Sequence, residues 1–291
     1  MRSLALVGAG RWGKNLLRNF DALGALRLVC DIYLPEVPGV EVIADFEGVL
    51  NHPDITRVAI ATPSATHYSL AKRALLAGKD VFVEKPLALS VKEGEELIQL
   101  AEERGRILMV GHILRYHPAY VRLQELVKEG AVGTLRYLAS HRLANDRMKG
   151  VESVLWNYGP HDLSLILPLV GEMPERVGGD RGTAVAGKVD DIRTLHMTFP
   201  SGVAAHCYLS CVSPYKEHKL TVVGDKGALV FDDVRPWGEK LMLDGKAVAV
   251  AQAEPLKEEC RHFLACCEER KRPLTDGSAA LQGLKVLEQL K

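Results

Sequence analysis

Apolar positions in the first third of the chain follow two rhythms. Short apolar runs in SLALVGAG (3–10), LRLVCD (26–31), RVAIAT (57–62), DVFVEKP (80–86) and RILMVGH (106–112) read as buried strands. A strand covered on both faces has no polar side to show. Between them lie amphipathic stretches: RWGKNLLRNFDAL, with Leu16, Leu17, Phe20 and Leu23 apolar, then HYSLAKRALLAG, which ends in Gly78. A third, VKEGEELIQLAEERG, is preceded by Ser90 as N-cap with Glu93 at the capping-box spacing. Strands alternating with helices predict a parallel sheet covered by helices. One link is thin. Between Asp31 and Asp45 the run IYLPEVPGVEVIA holds two prolines, so the crossover helix is expected to be lost and the connection extended.

From about residue 119 the rhythm changes. YVRLQELVKEGAVG predicts a helix, TLRYLASHRL a strand and HDLSLILPLVG a short helix. Three strand–turn–strand units follow: IRTLHMTF–PSG–VAAHCYLSCV, KLTVVG–DKG–ALVFDD and EKLML–DG–KAVAV. Alternating apolar residues around a glycine turn are a hairpin signal, so this half predicts a mostly antiparallel sheet. PLKEECRHFLACCEER and SAALQGLKVLEQL close the chain as helices. The expectation is an α/β domain with a parallel sheet over 1–118, then an α+β domain over 119–291.

Composition narrows the function classes. The 291 residues are 47% apolar and 25% charged, ordinary for two globular domains and against long disorder. Thirty-seven basic residues balance thirty-seven acidic ones, so no net field draws nucleic acid or an anionic membrane. No run approaches the roughly 18 apolar residues of a membrane span, and MRSLALVGAG lacks a signal-peptide pattern. A cytoplasmic protein is expected. Its six cysteines, Cys30, Cys207, Cys211, Cys260, Cys266 and Cys267, then read as reduced thiols. Cys207 and Cys211 share a strand face, but without clustered His or Cys neighbours no metal is expected there.

Candidate chemistry begins at Gly8-Ala9-Gly10-Arg11-Trp12-Gly13, a G-x-G-x-x-G turn between a strand and a helix. Such glycines let backbone approach a pyrophosphate, whose charge meets free N–H groups at the helix start. Asp31 closes the second strand 23 positions after Gly8 (31 − 8), near the spacing for an acid on a ribose 2′-hydroxyl. A 2′-phosphate about 4 Å from that carboxylate would meet roughly 4 kcal/mol of repulsion at an effective dielectric of 20. Ile32, Tyr33 and Leu34 offer no cation to offset it, so NAD is expected over NADP. Glu84-Lys85-Pro86 ends the strand DVFVEKP, which brings Lys85 to the crevice beyond the strand ends; position alone favours an ordinary strand-end lysine. His161 follows WNYGP and is expected to open a helix, whose dipole favours neutral imidazole. A capping or packing histidine fits that position too.

Taken together, GAGRWG, ATPSATHYSLAKRALLAGKDVFVEKPLA, GHILRYHP and the late histidine segment resemble the Gfo/Idh/MocA oxidoreductases. The resemblance implies a Rossmann domain followed by an α+β domain with an open antiparallel sheet, often used to form a homodimer or homotetramer. It implies NAD(P)-dependent oxidation or reduction at a sugar or polyol carbon, with Lys85 and His161 as the catalytic pair. Thr62, Pro63, His67 and Glu84 fall where the family lines the cofactor, beside Gly8, Gly10, Arg11, Trp12, Gly13, Asp31 and Lys85. One position departs from the pattern: many members carry Asp four residues before the histidine, where this chain has Asn157. An amide can orient a hydroxyl but carries no charge, which puts more of the proton transfer on His161. GRWGKNLLRNFDALG, VLWNYGPHD, SPYKEHKLTVVGDKGALVFDD and ECRHFL further resemble a branch that oxidises C3 of UDP-N-acetylglucosamine or its uronic acid. On that reading Lys216 and Lys219 meet a diphosphate or carboxylate; otherwise they are a solvated pair. Arg142, Arg147, Lys149 and Arg193 are alternatives, and Tyr116 and His117 face substrate or pack inside. The rival readings are a dehydrogenase of a free polyol such as inositol, and a non-catalytic NAD- or sugar-sensing regulator.

Overall fold

A computed structural model describes residues 2–33, 37–145, 153–184 and 190–290. Strands β1 (Leu4–Val7), β2 (Leu26–Cys30), β3 (Glu41–Ile43), β4 (Arg57–Ile60), β5 (Asp80–Glu84) and β6 (Leu108–Gly111) come first. They alternate with helices α1 (Gly13–Ala22), α2 (Phe46–Asn51), α3 (His67–Leu76) and α4 (Val91–Glu103). Next come α5 (Pro118–Lys128), β7 (Leu135–Asn145) and α6 (Val154–Val170). Eight strands follow: β8 (Arg176–Gly178), β9 (Arg181–Gly182), β10 (Ile192–Thr198), β11 (Ala204–Ser210), β12 (Val212–Gly224), β13 (Ala228–Asp232), β14 (Leu241–Leu243) and β15 (Lys246–Ala247). Helices α7 (Pro255–Glu269) and α8 (Gly277–Glu288) close the chain.

Contacts divide it into two compact units, residues 1–113 with 254–284, and 114–253 with 285–291. In the first unit the sheet runs β3-β2-β1-β4-β5-β6, every pairing parallel. That is the order of a dinucleotide-binding α/β sheet, with ligands expected beyond the strands' carboxyl ends. Local signals act as expected: Ser90 Oγ accepts from the Glu93 N–H at 3.3 Å, and Gly78 takes the left-handed conformation that ends α3 (φ 74°). The link after Asp31 has no helix among its described residues and returns as β3, which pairs with β2.

The expected domain limit is revised. α7 and most of α8 belong to the first unit, not to a contiguous second domain over 119–291. The reason is apolar contact: Phe263 of α7 meets Phe20 of α1 and Phe82 of β5 edge-on, with centroids 6.4 and 5.7 Å apart. Thr275 then covers the sheet's β6 edge, its hydroxyl donating to the Val110 carbonyl while its own carbonyl accepts the Val110 N–H, both at 2.8 Å.

The second unit is built on a nine-stranded sheet in the order β15-β14-β13-β12-β7-β11-β10-β8, with β9 pairing β10. The three foreseen hairpins are β10–β11, β12–β13 and β14–β15. All pairings are antiparallel except β7 with β11. Buried and exposed residues alternate along β10 and β11, so each strand gives one face to the interior.

Candidate active site

The dinucleotide turn is held by its glycines. Gly8 has φ 87°, and a Cβ there would lie 2.9 Å from the Ala61 carbonyl carbon and oxygen. A Cβ on Gly13 would come within 2.1 Å of the Gly8 carbonyl oxygen, so only glycine lets α1 start this close to the turn. Gly10 has open space where a Cβ would stand. No side chain caps α1 and no acid occupies its first turn, which suits the positive helix end to an anion. Asp31 accepts the Ala9 N–H on Oδ2 at 2.7 Å and the Tyr33 N–H on Oδ1 at 2.8 Å. Its remaining lone pairs can accept ribose hydroxyls. These residues fit a dinucleotide.

A second loop supports the turn. The Thr62 and Thr66 hydroxyls are 2.7 Å apart, and Thr66 Oγ1 donates to the Pro63 carbonyl at 2.7 Å. Buried His67 places Nδ1 2.7 Å from the Pro86 carbonyl and Nε2 2.9 Å from that of Thr62. Both oxygens only accept, so a neutral ring can donate to one of them at a time. His67 thus links the Thr62 loop to the Glu84-Lys85-Pro86 corner, whose Lys85–Pro86 peptide is cis.

At that corner Glu84 is buried. Its Oε1 accepts the Trp12 Nε1–H at 2.5 Å and its Oε2 the Lys85 N–H at 3.3 Å. A Cβ on Gly111 would lie 3.0 Å from the carboxyl carbon and both oxygens, so Gly111 leaves the carboxyl its seat. Burial pushes the Glu84 carboxyl up to about 7, against the Trp12 bond and the Lys85 charge. Lys85 itself is half-buried.

In the second unit the helix carrying His161 starts earlier than expected. Ser153 caps it, its Oγ accepting the Trp156 N–H at 3.5 Å, and Pro160 and Pro168 both lie inside the helix. Proline favours a first turn, yet Pro160 is the seventh residue of α6. His161 is therefore the eighth residue of α6, too deep for the N-terminal dipole argument, which falls off within the first turn. The longer helix has a second effect: Asn157 and His161, four apart, share one face.

The next residue anchors the helix. Asp162, 1% exposed, takes the Arg142 Nε–H at 2.7 Å, and it also binds the Ser140 hydroxyl. A close-packed α6 follows: a Cβ on Gly159 would lie 2.9 Å from Leu287 Cδ2. Neither contact was visible in the sequence, although the Ser-x-Arg pair on β7 and the acid beside His161 were.

Other expected substrate residues are placed as follows. Lys219 pairs with Glu217 at 2.5 Å. Arg193 is buried, donating to the Leu290 carbonyl at 2.7 Å and lying 3.2 Å from Asp190. Lys216 is exposed on β12, and Tyr116 is buried. His117 packs inside: its Nδ1 caps α5 by accepting the Ala119 N–H, and its ring stacks on Trp237 at 5.2 Å. Arg147, Lys149 and Leu34 lie outside the described residues. All six cysteines are buried thiols, and no described helix is long and apolar enough to cross a membrane.

Known proteins share both halves. Residues 2–112 match the oxidoreductase family with an NAD-binding Rossmann fold, and residues 120–230 match the GFO/IDH/MocA C-terminal domain. UDP-N-acetylglucosamine 3-dehydrogenase of Acidithiobacillus ferrooxidans is 35% identical over 160 residues, 55% of this chain and half of that protein's length. A solved structure of UDP-N-acetylglucosamine 3-dehydrogenase from that organism superposes with a TM-score of 0.88 at 26% identity, covering 99% of this chain and 96% of the other. The scyllo-inositol 2-dehydrogenase (NADP(+)) of Bacillus subtilis is 30% identical over 205 residues, 67% of this chain and 57% of that one. With the glycine turn, Asp31 and the six-stranded parallel sheet in place, the chain belongs to the Gfo/Idh/MocA family and is an NAD-dependent dehydrogenase.

Proposed function

We propose that the chain oxidises the C3 hydroxyl of a UDP-linked N-acetyl-hexosamine or of its uronic acid. The observation that carries this reading is the likeness to UDP-N-acetylglucosamine 3-dehydrogenase along almost the whole chain. Bound NAD supplies the hydride acceptor, held by Gly8, Gly10, Gly13 and Asp31. His161 takes the hydroxyl proton, and Lys85 donates a hydrogen bond to the same oxygen as it gains alkoxide character. Asn157, one turn before His161, orients the sugar. Lys216 is the cation we assign to the diphosphate. A homodimer or homotetramer in the cytoplasm completes the reading; exposed Tyr137 and Tyr208 on the sheet and six cysteines that form no disulfide support it.

One observation favours a second reading, a free polyol such as inositol. Arg142, Arg193 and Lys219 already pair with Asp162, Asp190 and Glu217, which leaves Lys216 among the described candidates for a diphosphate. Turnover with NAD⁺ on UDP-sugars and on free polyols, followed at 340 nm, separates the two. Activity confined to polyols overturns the nucleotide-sugar reading, and none on either class leaves the sensor. His161→Asn should lower kcat about 10²–10⁴-fold, the usual worth of a positioned base, with little change in NADH affinity. Equal losses of both would make His161 structural.

A further inference from the structure

Trp12 is the only aromatic residue of the glycine turn, and its ring is 41% exposed. An indole has one polar atom, a donor N–H, which on a surface ring would ordinarily face water. Here that N–H is turned inward. It donates to Oε1 of Glu84, the last residue of β5, at 2.5 Å. The receiving carboxyl is buried, and its Oε2 accepts the Lys85 N–H at 3.3 Å. Gly111 of β6 lies against it, where a Cβ would stand 3.0 Å from both oxygens. One end of the bond is thus boxed in by two strands, and the bond carries that fixity to an exposed aromatic ring. Charged or protonated, a carboxyl keeps an oxygen that accepts, so the bond does not depend on the titration of Glu84.

The direction of the bond determines which half of a dinucleotide the ring meets. In the sheet, β2 lies on one side of β1, and β4 then β5 lie on the other. The glycine turn follows β1 and suits the pyrophosphate, the centre of the molecule. Asp31, just beyond β2, suits the ribose of one half. The second half must then leave the turn toward β4 and β5, the side to which Glu84 draws Trp12. Lys85, the cation proposed for the reacting oxygen, follows Glu84 in the chain and leaves the sheet on that side too.

We infer that the Trp12 ring seats the nicotinamide end of the dinucleotide, and that Glu84 is the positioning residue that fixes this ring. Glu84 acts through Trp12, its own two oxygens each bonded to an N–H of the protein. A loose indole would lose rotamer freedom when a ligand packs on it. A ring held beforehand has already lost it, so more of the contact appears as affinity. One flat ring packed offset against another is a favoured contact beyond the area it buries. The inference rests on NAD binding and holds whichever sugar is the substrate.

The test compares NADH with ADP-ribose, which has all but the nicotinamide ring, by titration calorimetry on the full chain. Trp12→Ala should raise the Kd for NADH about three- to tenfold, the usual worth of an aromatic pair, and leave that for ADP-ribose within about twofold. Glu84→Leu, of similar size but without an acceptor, should lose about two- to tenfold of the same preference, the cost of immobilising one side chain on binding. Added to Trp12→Ala, Glu84→Leu should change the preference no further, because the ring it would fix is gone. Should Glu84→Leu fail to fold, Trp12→Phe tests the bond from its other end: it keeps a ring, lacks the N–H and should lose part of the preference. Equal losses for both ligands in Trp12→Ala would make Trp12 a structural part of the turn and overturn the inference. A wild-type preference in Glu84→Leu or in Trp12→Phe overturns it as well, as does a further loss from Glu84→Leu once Trp12 is absent. Failure of the wild type to bind either ligand would overturn the dinucleotide reading itself, and the inference with it.

Discussion

Removing Asp162 tests whether the helix carrying His161 depends on one buried ion pair. Side-chain exposures are 7% for Arg142 and 1% for Asp162. Two guanidinium nitrogens reach the carboxylate, at 2.7 and 3.4 Å, and Ser140 binds it too. Asp162→Ala leaves the Arg142 charge buried without its counterion, a change that costs about 3–5 kcal/mol. Against a typical total of about 5–15 kcal/mol that is a large share. Urea unfolding of the apoprotein followed by circular dichroism reads it as a lower midpoint. The pair itself need not stabilise: its attraction is offset by desolvation of both groups. Arg142→Met with Asp162→Leu should therefore recover most of the loss, to within about 1–2 kcal/mol of wild type. Its kcat should stay low, because those bonds also fix the turn of α6 that carries His161, the base we propose. A loss under about 1 kcal/mol for Asp162→Ala, or a double variant no better than the single one, refutes the account.

Two further outcomes concern the nucleotide turn. Gly13→Ala forces a methyl onto the Gly8 carbonyl oxygen at 2.1 Å, so it should cost about 1–3 kcal/mol and abolish NADH binding in a fluorescence titration. Gly10→Ala meets nothing within 4 Å and should keep its melting temperature while NADH binding still weakens. Asp31→Asn retains an acceptor for the Ala9 N–H and removes the charge. Of roughly 4 kcal/mol of repulsion at 4 Å, solvent and the two N–H bonds screen part, so the NADPH-to-NADH ratio of Kd should fall about 10- to 100-fold. A change below about threefold would show that Asp31 does not set the preference.

What the sequence made legible was local. The glycine turn, the Ser90 cap and the three hairpins each depend on residues within a few positions of one another, and each is in place. What it hid was long-range or ambiguous. His161 reads as the start of a helix, yet Ser153 caps α6 two turns earlier. α7 follows the second domain in the chain but joins the first unit, through rings some 180 to 240 positions away. Glu259 stands in the segment ECRHFL as an acid without an assigned role. Its spacing to Leu256, Cys260 and Phe263 puts it on the buried stripe of α7, a signal that periodicity could have exposed. Lys219 and Arg193 drew notice as cations, but their acidic partners are close in sequence and spend that charge locally.

The strap formed by residues 254–284 has a consequence for biosynthesis. A nascent chain emerging from the ribosome displays the six β-strands of the first unit long before the segment that shields β6 exists. Until Thr275 arrives, the Val110 amide and carbonyl at that margin remain open to any other extended peptide, and Phe20 and Phe82 lack the ring that Phe263 brings. Completion of the nucleotide-binding half thus waits for translation of the intervening sheet. Release of a chain stopped short of residue 254 should yield a sticky fragment rather than a usable half-protein.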